Sequence, residues 1–182
     1  MTQALLIVDI QNDYFPGGAM ELDGSPQAAS QAGRLLRHFR QASKPVVHVQ
    51  HLSTRPGATF FLPDTKGAEI HPSVAPIGGE TVFRKNYPNS FRDTPLLEHL
   101  RRSGIDQLVI AGMMTHMCID TTTRAAADLG FQCSLAHDAC ATRALSFGGT
   151  TVAAAQVHAA FLAALNGAFA KVQSVEQLCA SP

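Results

Sequence analysis

The 182-residue chain is 46% hydrophobic and only 15% charged, which excludes a disordered polymer and suits one domain, residues 1–182, with a sizeable core. Its 14 basic and 14 acidic side chains cancel, so no positive field exists to hold a phosphate backbone, and nucleic acid is not an expected partner. No apolar run reaches the ~18 residues of a membrane helix, and Met1-Thr2-Gln3-Ala4 carries no basic leader; the expectation is a cytoplasmic protein with no membrane partner.

Ala4 to Ile10 is a nearly continuous apolar run, interrupted only by Asp9, as a strand buried on both faces reads. Ser25, as cap, and Pro26, at the first helical position, open a helix that carries Ala29, Ala32, Leu35, Leu36 and Phe39 at helical spacing and ends near Ala42. Pro45 to His51 is the second strand. Residues 52–80 are rich in turn-formers and hold no periodicity, and a connection that long inside a domain is usually functional. Thr81 to Lys85 is a third strand, Thr94-Pro95 starts a helix that stops at Gly104, and Gln107 to Gly112 is a fourth strand. A helix follows from about Cys118 to Leu129, then a strand from Phe131 to His137, a mostly apolar helix from Thr151 to Leu165 and a short strand from Ala168 to Val172. Ser174 and Gln177 have the spacing of a capping box for a terminal helix.

This alternation argues for an α/β fold of three layers, with a mainly parallel sheet of about six strands and helices on both faces. Ligands in such folds bind beyond the carboxyl ends of the strands. Asp9, Lys85 and Cys118 are delivered there from three distant parts of the chain. Singly, such an Asp is a turn residue, such a Lys is solvated and a Cys is a small core residue. Together they suit covalent acyl transfer. A thiol at the first turn of a helix feels the positive helix end, which lowers its pKa; Asp9 accepts its proton and Lys85 steadies the charge. Cys133, Cys140 and Cys179 read as structural thiols in a reduced protein.

Longer motifs surround these positions. Val8-Asp9-Ile10-Gln11-Asn12-Asp13-Tyr14-Phe15-Pro16-Gly17-Gly18 resembles the first signature of the isochorismatase-like cysteine hydrolases, the superfamily that includes nicotinamidases and N-carbamoylsarcosine amidohydrolases. Gly67 to Pro72, Lys85 with Asn89-Ser90-Phe91, Gly112 to Cys118 and His137 to Cys140 are similar to later family segments, in order over roughly three quarters of the chain. The resemblance implies a catalytic triad of Asp9, Lys85 and Cys118. It also implies a cis, non-proline peptide between Met113 and Met114, with an oxyanion hole from the N–H groups of Met114 and Cys118. The activity it implies is cleavage of an amide or related C–N bond in a small molecule, without a cofactor, by a homo-oligomer.

There are departures. The nicotinamidase relatives bind a divalent metal through an Asp-x-His pair and a further His; the matching stretch here, Val49-Gln50-His51-Leu52-Ser53, has no Asp, and no metal is expected, although His48, His51 and His71 leave a residual site open. His116 stands where the nucleophile loop usually carries Asn or Asp, and is expected at the substrate or as a hydrogen-bonding loop residue. Of the loop aromatics Tyr14, Phe15, Phe60, Phe61 and Phe91, the expected pocket walls are Phe15 and Phe91. The competing readings are vinyl ether hydrolysis of the isochorismatase type, which has no clear use for a thiol nucleophile, and a silent small-molecule binding protein.

Overall fold

The computed structural model of the protein describes residues 2–180; Met1, Ser181 and Pro182 of the expected domain lie outside the described residues. Strand β1 (Thr2–Val8) shows why its run is apolar throughout. Successive side chains of a strand point to opposite faces; Leu5 and Ile7 enter one core, while Ala4, Leu6 and Val8 enter another. Around it lie β2 (Val46–His51), β3 (Thr81–Lys85), β4 (Ile105–Met113), β5 (Gln132–Ala141) and β8 (Lys171–Gln173), all parallel, in the order β3-β2-β1-β4-β5-β8.

Helix α1 (Ser25–Gln41) lays Ala32, Leu35, Leu36 and Phe39 on the first core, with α5 (Val175–Ala180) beside it. The second core is covered by α2 (Leu96–Arg102), α3 (Asp120–Asp128) and α4 (Ala154–Leu165), through Leu100, Ala126 and Leu165. Each such side chain withdrawn from water contributes about 1.5–3 kcal/mol, less for alanine. The result is the expected three-layer α/β/α arrangement. The strand order reverses direction between β1 and β4, and a crevice at that switch point is where such sheets place ligands.

Three local expectations are corrected. Ser25 does not cap α1: it is the first helical residue, its hydroxyl is buried without a partner, and Gly24 precedes it in the left-handed region at φ 72°. Strand β5 runs on to Ala141, so Cys140 lies in the strand rather than after it. The apolar helix expected from Thr151 is preceded by a hairpin, β6 (Leu145–Phe147) and β7 (Thr150–Val152), and α4 begins only at Ala154. The turn of that hairpin is Gly148-Gly149, both at positive φ, as a two-residue hairpin loop requires. The capping box at Ser174 forms as expected, Gln177 N–H donating to Ser174 Oγ (3.2 Å) and Ser174 N–H to Gln177 Oε1 (2.9 Å).

Candidate active site

Asp9 is the first residue past β1. It takes a left-handed backbone, φ 53°, while its N–H still donates to the Val49 carbonyl at 3.0 Å. Such a conformation in a residue with a Cβ costs about 1–3 kcal/mol and persists where the surroundings enforce it. Gly112 of β4 stands opposite Val8 at φ 143°, where a Cβ would come within 1.9 Å of the Val8 carbonyl oxygen. Only glycine lets the two central strands close beside the acid.

The structure brings Asp9, Lys85 and Cys118 together. Lys85 Nζ lies 2.7 Å from Asp9 Oδ2, both side chains fully buried, and 3.2 Å from Cys118 Sγ. The ammonium also donates to His51 Nδ1 (3.0 Å) and to the Tyr87 carbonyl (3.0 Å). Burial works against its charge, but Asp9 and then Cys118 outweigh it and hold the Lys85 pKa above the ordinary lysine value.

Cys118 differs from the sequence expectation in one respect. It does not sit in the first turn of α3 but in a wide π-type turn, Thr115–Ile119, that precedes it. There the N–H groups of Met117 (3.0 Å) and Ile119 (3.2 Å) both close on the Met114 carbonyl, bracketing Cys118. Nor is its thiol pKa lowered. Burial pushes it up strongly, Asp9 adds to that, and Lys85 offsets only part. A thiolate beside the Asp9 carboxylate would leave two buried anions for one ammonium, so the resting group is the thiol. The Met113–Met114 peptide is cis, as the resemblance implies.

The thiol faces a cavity of about 280 Å³. Its walls are aromatic and soft: Tyr14, Phe60, Phe61, Tyr87, Met114 and Met117, with Arg55 and Asn86 among its polar lining. Tyr14 and Phe61 pack with ring centroids 4.5 Å apart, and Phe60 meets Phe61 at 5.0 Å. The expected walls are elsewhere. Phe15 stacks on His71 (3.6 Å), and Phe91 packs toward Phe131 (6.1 Å) in the second core, because each finds a partner ring away from the thiol. His116 is likewise turned aside, its Nδ1 hydrogen-bonded to Thr142 Oγ1 and its ring edge-on to Phe161.

The three histidines are dispersed. His48 pairs with Glu80 (2.9 Å) and His71 with Ser73 (2.8 Å), while His51 lines the cavity. Among the described residues the one group with metal-ligand spacing is Asp9, His51 and Cys118, and the Lys85 ammonium already donates to, or pairs with, all three. With Val49, buried in the second core, at the position of the acid in that Asp-x-His pattern, the residues present do not fit the metal of the nicotinamidase relatives.

Two polar residues of the first motif matter in ways the sequence reading missed. The Asp13 carboxylate accepts the Phe61 N–H (2.6 Å) and the Ala19 N–H (3.2 Å), and so fastens a cavity wall to the segment that carries the acid. Gln11 accepts the His51 N–H (2.8 Å) and donates to the His51 (2.9 Å) and Ala68 (2.7 Å) carbonyls. The unbroken polar run Gln11-Asn12-Asp13 straight after the apolar strand was the available signal.

With this geometry in place, the family assignment follows. Residues 3–177 match the isochorismatase domain, and the chain belongs to the isochorismatase family of hydrolases. It is 51% identical over 176 residues to YddQ of Bacillus subtilis (strain 168), an uncharacterized isochorismatase family protein, covering 97% of this chain and 98% of that one. A crystal structure of the isochorismatase hydrolase type from Oleispira antarctica superposes with a TM-score of 0.95 at 55% identity, covering 99% of this chain and 97% of that one. The nicotinamidase/pyrazinamidase of Mycobacterium tuberculosis (strain H37Rv) is 31% identical over 142 residues, 66% of this chain and 76% of that one.

Proposed function

We propose that the protein hydrolyses an amide or related C–N bond of a small molecule through a thioester on Cys118. The observation that carries this reading is a buried acid, ammonium and thiol meeting within 2.7–3.2 Å beside an aromatic-lined cavity. A relative that is a nicotinamidase/pyrazinamidase supports the bond type. When substrate enters, the Cys118 proton passes to Asp9 and the sulfur attacks the carbonyl carbon, while Lys85 remains protonated beside both. The N–H groups of Met114 and Cys118 are the oxyanion donors in this reading, the N–H groups on either side of Cys118, those of Met117 and Ile119, being closed on the Met114 carbonyl. Asp9 returns the proton to the leaving nitrogen, the C–N bond breaks, and ammonia or an amine departs. Water, losing a proton to Asp9, then attacks the thioester and frees acid and thiol.

Vinyl ether hydrolysis would need an acid to protonate substrate and would leave the thiol idle. Product analysis separates the readings: ammonia or amine for the first, pyruvate for the second. Cys118→Ala is expected to remove turnover on a panel of small amides by at least about 10³-fold with the fold intact. Retained ammonia release in that variant would overturn the mechanism, and no release by the wild-type protein from any amide would favour a binding role.

A further inference from the structure

The cavity beside Cys118 has one unbalanced charge, and it is positive. Lys85 Nζ lies 2.7 Å from Asp9 Oδ2, so those two charges cancel, and burial keeps Cys118 a thiol. Of the described residues on the cavity walls none is acidic, and the basic ones are His51 and Arg55. His51 is neutral: burial, with Lys85 and Arg55 adding to it, outweighs Asp9 and presses its pKa down to about 4. Arg55 remains, and a guanidinium is a cation at any working pH. Behind the wall, Asp13 is occupied by the N–H groups of Phe61 and Ala19, and at the Tyr14 phenol it is felt less than the opposing Arg143.

Local sequence places Arg55. Arg55-Pro56-Gly57-Ala58 closes as a turn, the Ala58 N–H donating to the Arg55 carbonyl at 3.2 Å with Gly57 at φ 78°. Proline followed by glycine is the pair that a type II turn takes at its two central positions. The backbone of Arg55 is therefore held, while its exposed guanidinium makes no hydrogen bond or ion pair among the described residues.

Five N–H donors in a planar fork, with no partner of their own, are a seat for an oxyanion. One guanidinium balances one charge, which suits a carboxylate better than a doubly charged phosphate. The rest of the cavity, about 280 Å³ walled by Tyr14, Phe60, Phe61 and Met117, suits a small, flat or apolar body between that carboxylate and the thiol. We propose that the substrate is a small amide carrying a carboxylate at the end away from the scissile bond, and that Arg55 is the specificity residue that pairs with it. The amide part rests on the hydrolytic reading; the preference for an anion does not, and it is tested apart from turnover.

The test compares two alkylating agents of nearly equal size at pH 8, iodoacetate (an anion) and iodoacetamide (neutral), with peptide mass spectrometry reading each cysteine. The iodoacetate-to-iodoacetamide rate ratio at Cys118 is expected to exceed the ratio at Cys179 of the same molecule by about fivefold, the scale of one charge acting through a partly solvated cavity. Arg55→Gln should abolish that excess, and Arg55→Lys, which keeps the charge, should retain most of it. A wild-type ratio at Cys118 no higher than at Cys179, an excess that survives Arg55→Gln, or equal loss in both variants overturns the proposal. Ammonia release from succinamate against butanamide, and from 4-carbamoylbenzoate against 4-methylbenzamide, then reads the substrate class. The anionic member of a pair should be favoured in kcat/KM, through KM, and Arg55→Gln should erase the preference; preference for the neutral member in both pairs overturns it. Absence of ammonia release from any amide would sink the hydrolytic reading and leave the alkylation ratios standing.

Discussion

A thiol pushed up in pKa is an unusual nucleophile only if it must be ready in advance. In this site the base is already in place, and the thiolate is needed only once a carbonyl has arrived to accept its electrons. Cys118 of the resting protein should therefore alkylate more slowly than the less buried Cys179, the reverse of what a thiol at a helix N-terminus promises. The Asp9→Asn variant separates the two roles of the acid. Removing the carboxylate takes away the proton acceptor, so turnover should be lost. It also takes away an anion that holds the thiol pKa up while Lys85 remains, so iodoacetamide should modify Cys118 faster than in the wild-type protein near neutral pH. Slower labelling in Asp9→Asn would show that the carboxylate does not govern the thiol.

At the scale of elements, the connection from β2 to β3 is tied down on both sides of the sheet edge. Near its end, Glu80 accepts two hydrogen bonds from Arg40 of α1 (2.7 and 2.8 Å), one from the Ile77 N–H (3.0 Å) and a contact with His48 of β2 (2.9 Å). Burial opposes the Glu80 charge, but these donors outweigh it and lower its pKa from 4.5 to about 2. A carboxylate depressed in the folded state gives stability that is complete above the unfolded pKa and lost as pH falls through the folded one. Glu80→Gln is thus expected to lower the thermal midpoint at pH 7 and to flatten its decline between about pH 4.5 and pH 2, measured by circular dichroism. The main elements were legible in the sequence because strands buried on both faces read as unbroken apolar runs and α1 repeats its apolar residues at helical spacing. The acid, amine and thiol were legible because strand ends are easy to place. The hairpin before α4 was not, since Thr150-Thr151-Val152 runs straight into an alanine-rich stretch and the two blend into one apolar pattern. The cavity walls were not, since the choice of Phe61 over Phe15 is made by Asp13, 48 residues away from the backbone N–H it holds.

For the whole molecule, one surface is apolar and open to solvent. Helix α4 carries no charged side chain; Ala155, Ala159, Ala160 and Ala163 are exposed on it, and Phe147 on the hairpin that leads into it is 92% exposed. An isolated two-stranded hairpin is marginal in water, and a bare phenylalanine at its tip favours association. With a net charge of zero, no general repulsion keeps copies apart. Sedimentation equilibrium is expected to return a multiple of 19.4 kDa, and Phe147→Ser to move the population toward the single-chain mass. A single-chain mass at tens of micromolar wild-type protein would count against the expected homo-oligomer.

The connection from β2 to β3 holds one more consequence, in how its front part is hung. The Ser53 N–H donates to the Phe61 carbonyl at 2.8 Å, and Asp13 takes the Phe61 N–H, so residues 54–60 form an excursion pinched at its base. Thr54, Arg55 and Phe60, which line the cavity, belong to that excursion; Asp9, Lys85 and Cys118 do not. Lengthening, shortening or rewriting it leaves the bond-breaking groups where they are. A lineage can therefore change its diet without relearning how to eat, and these few residues are where a laboratory would begin retargeting the molecule.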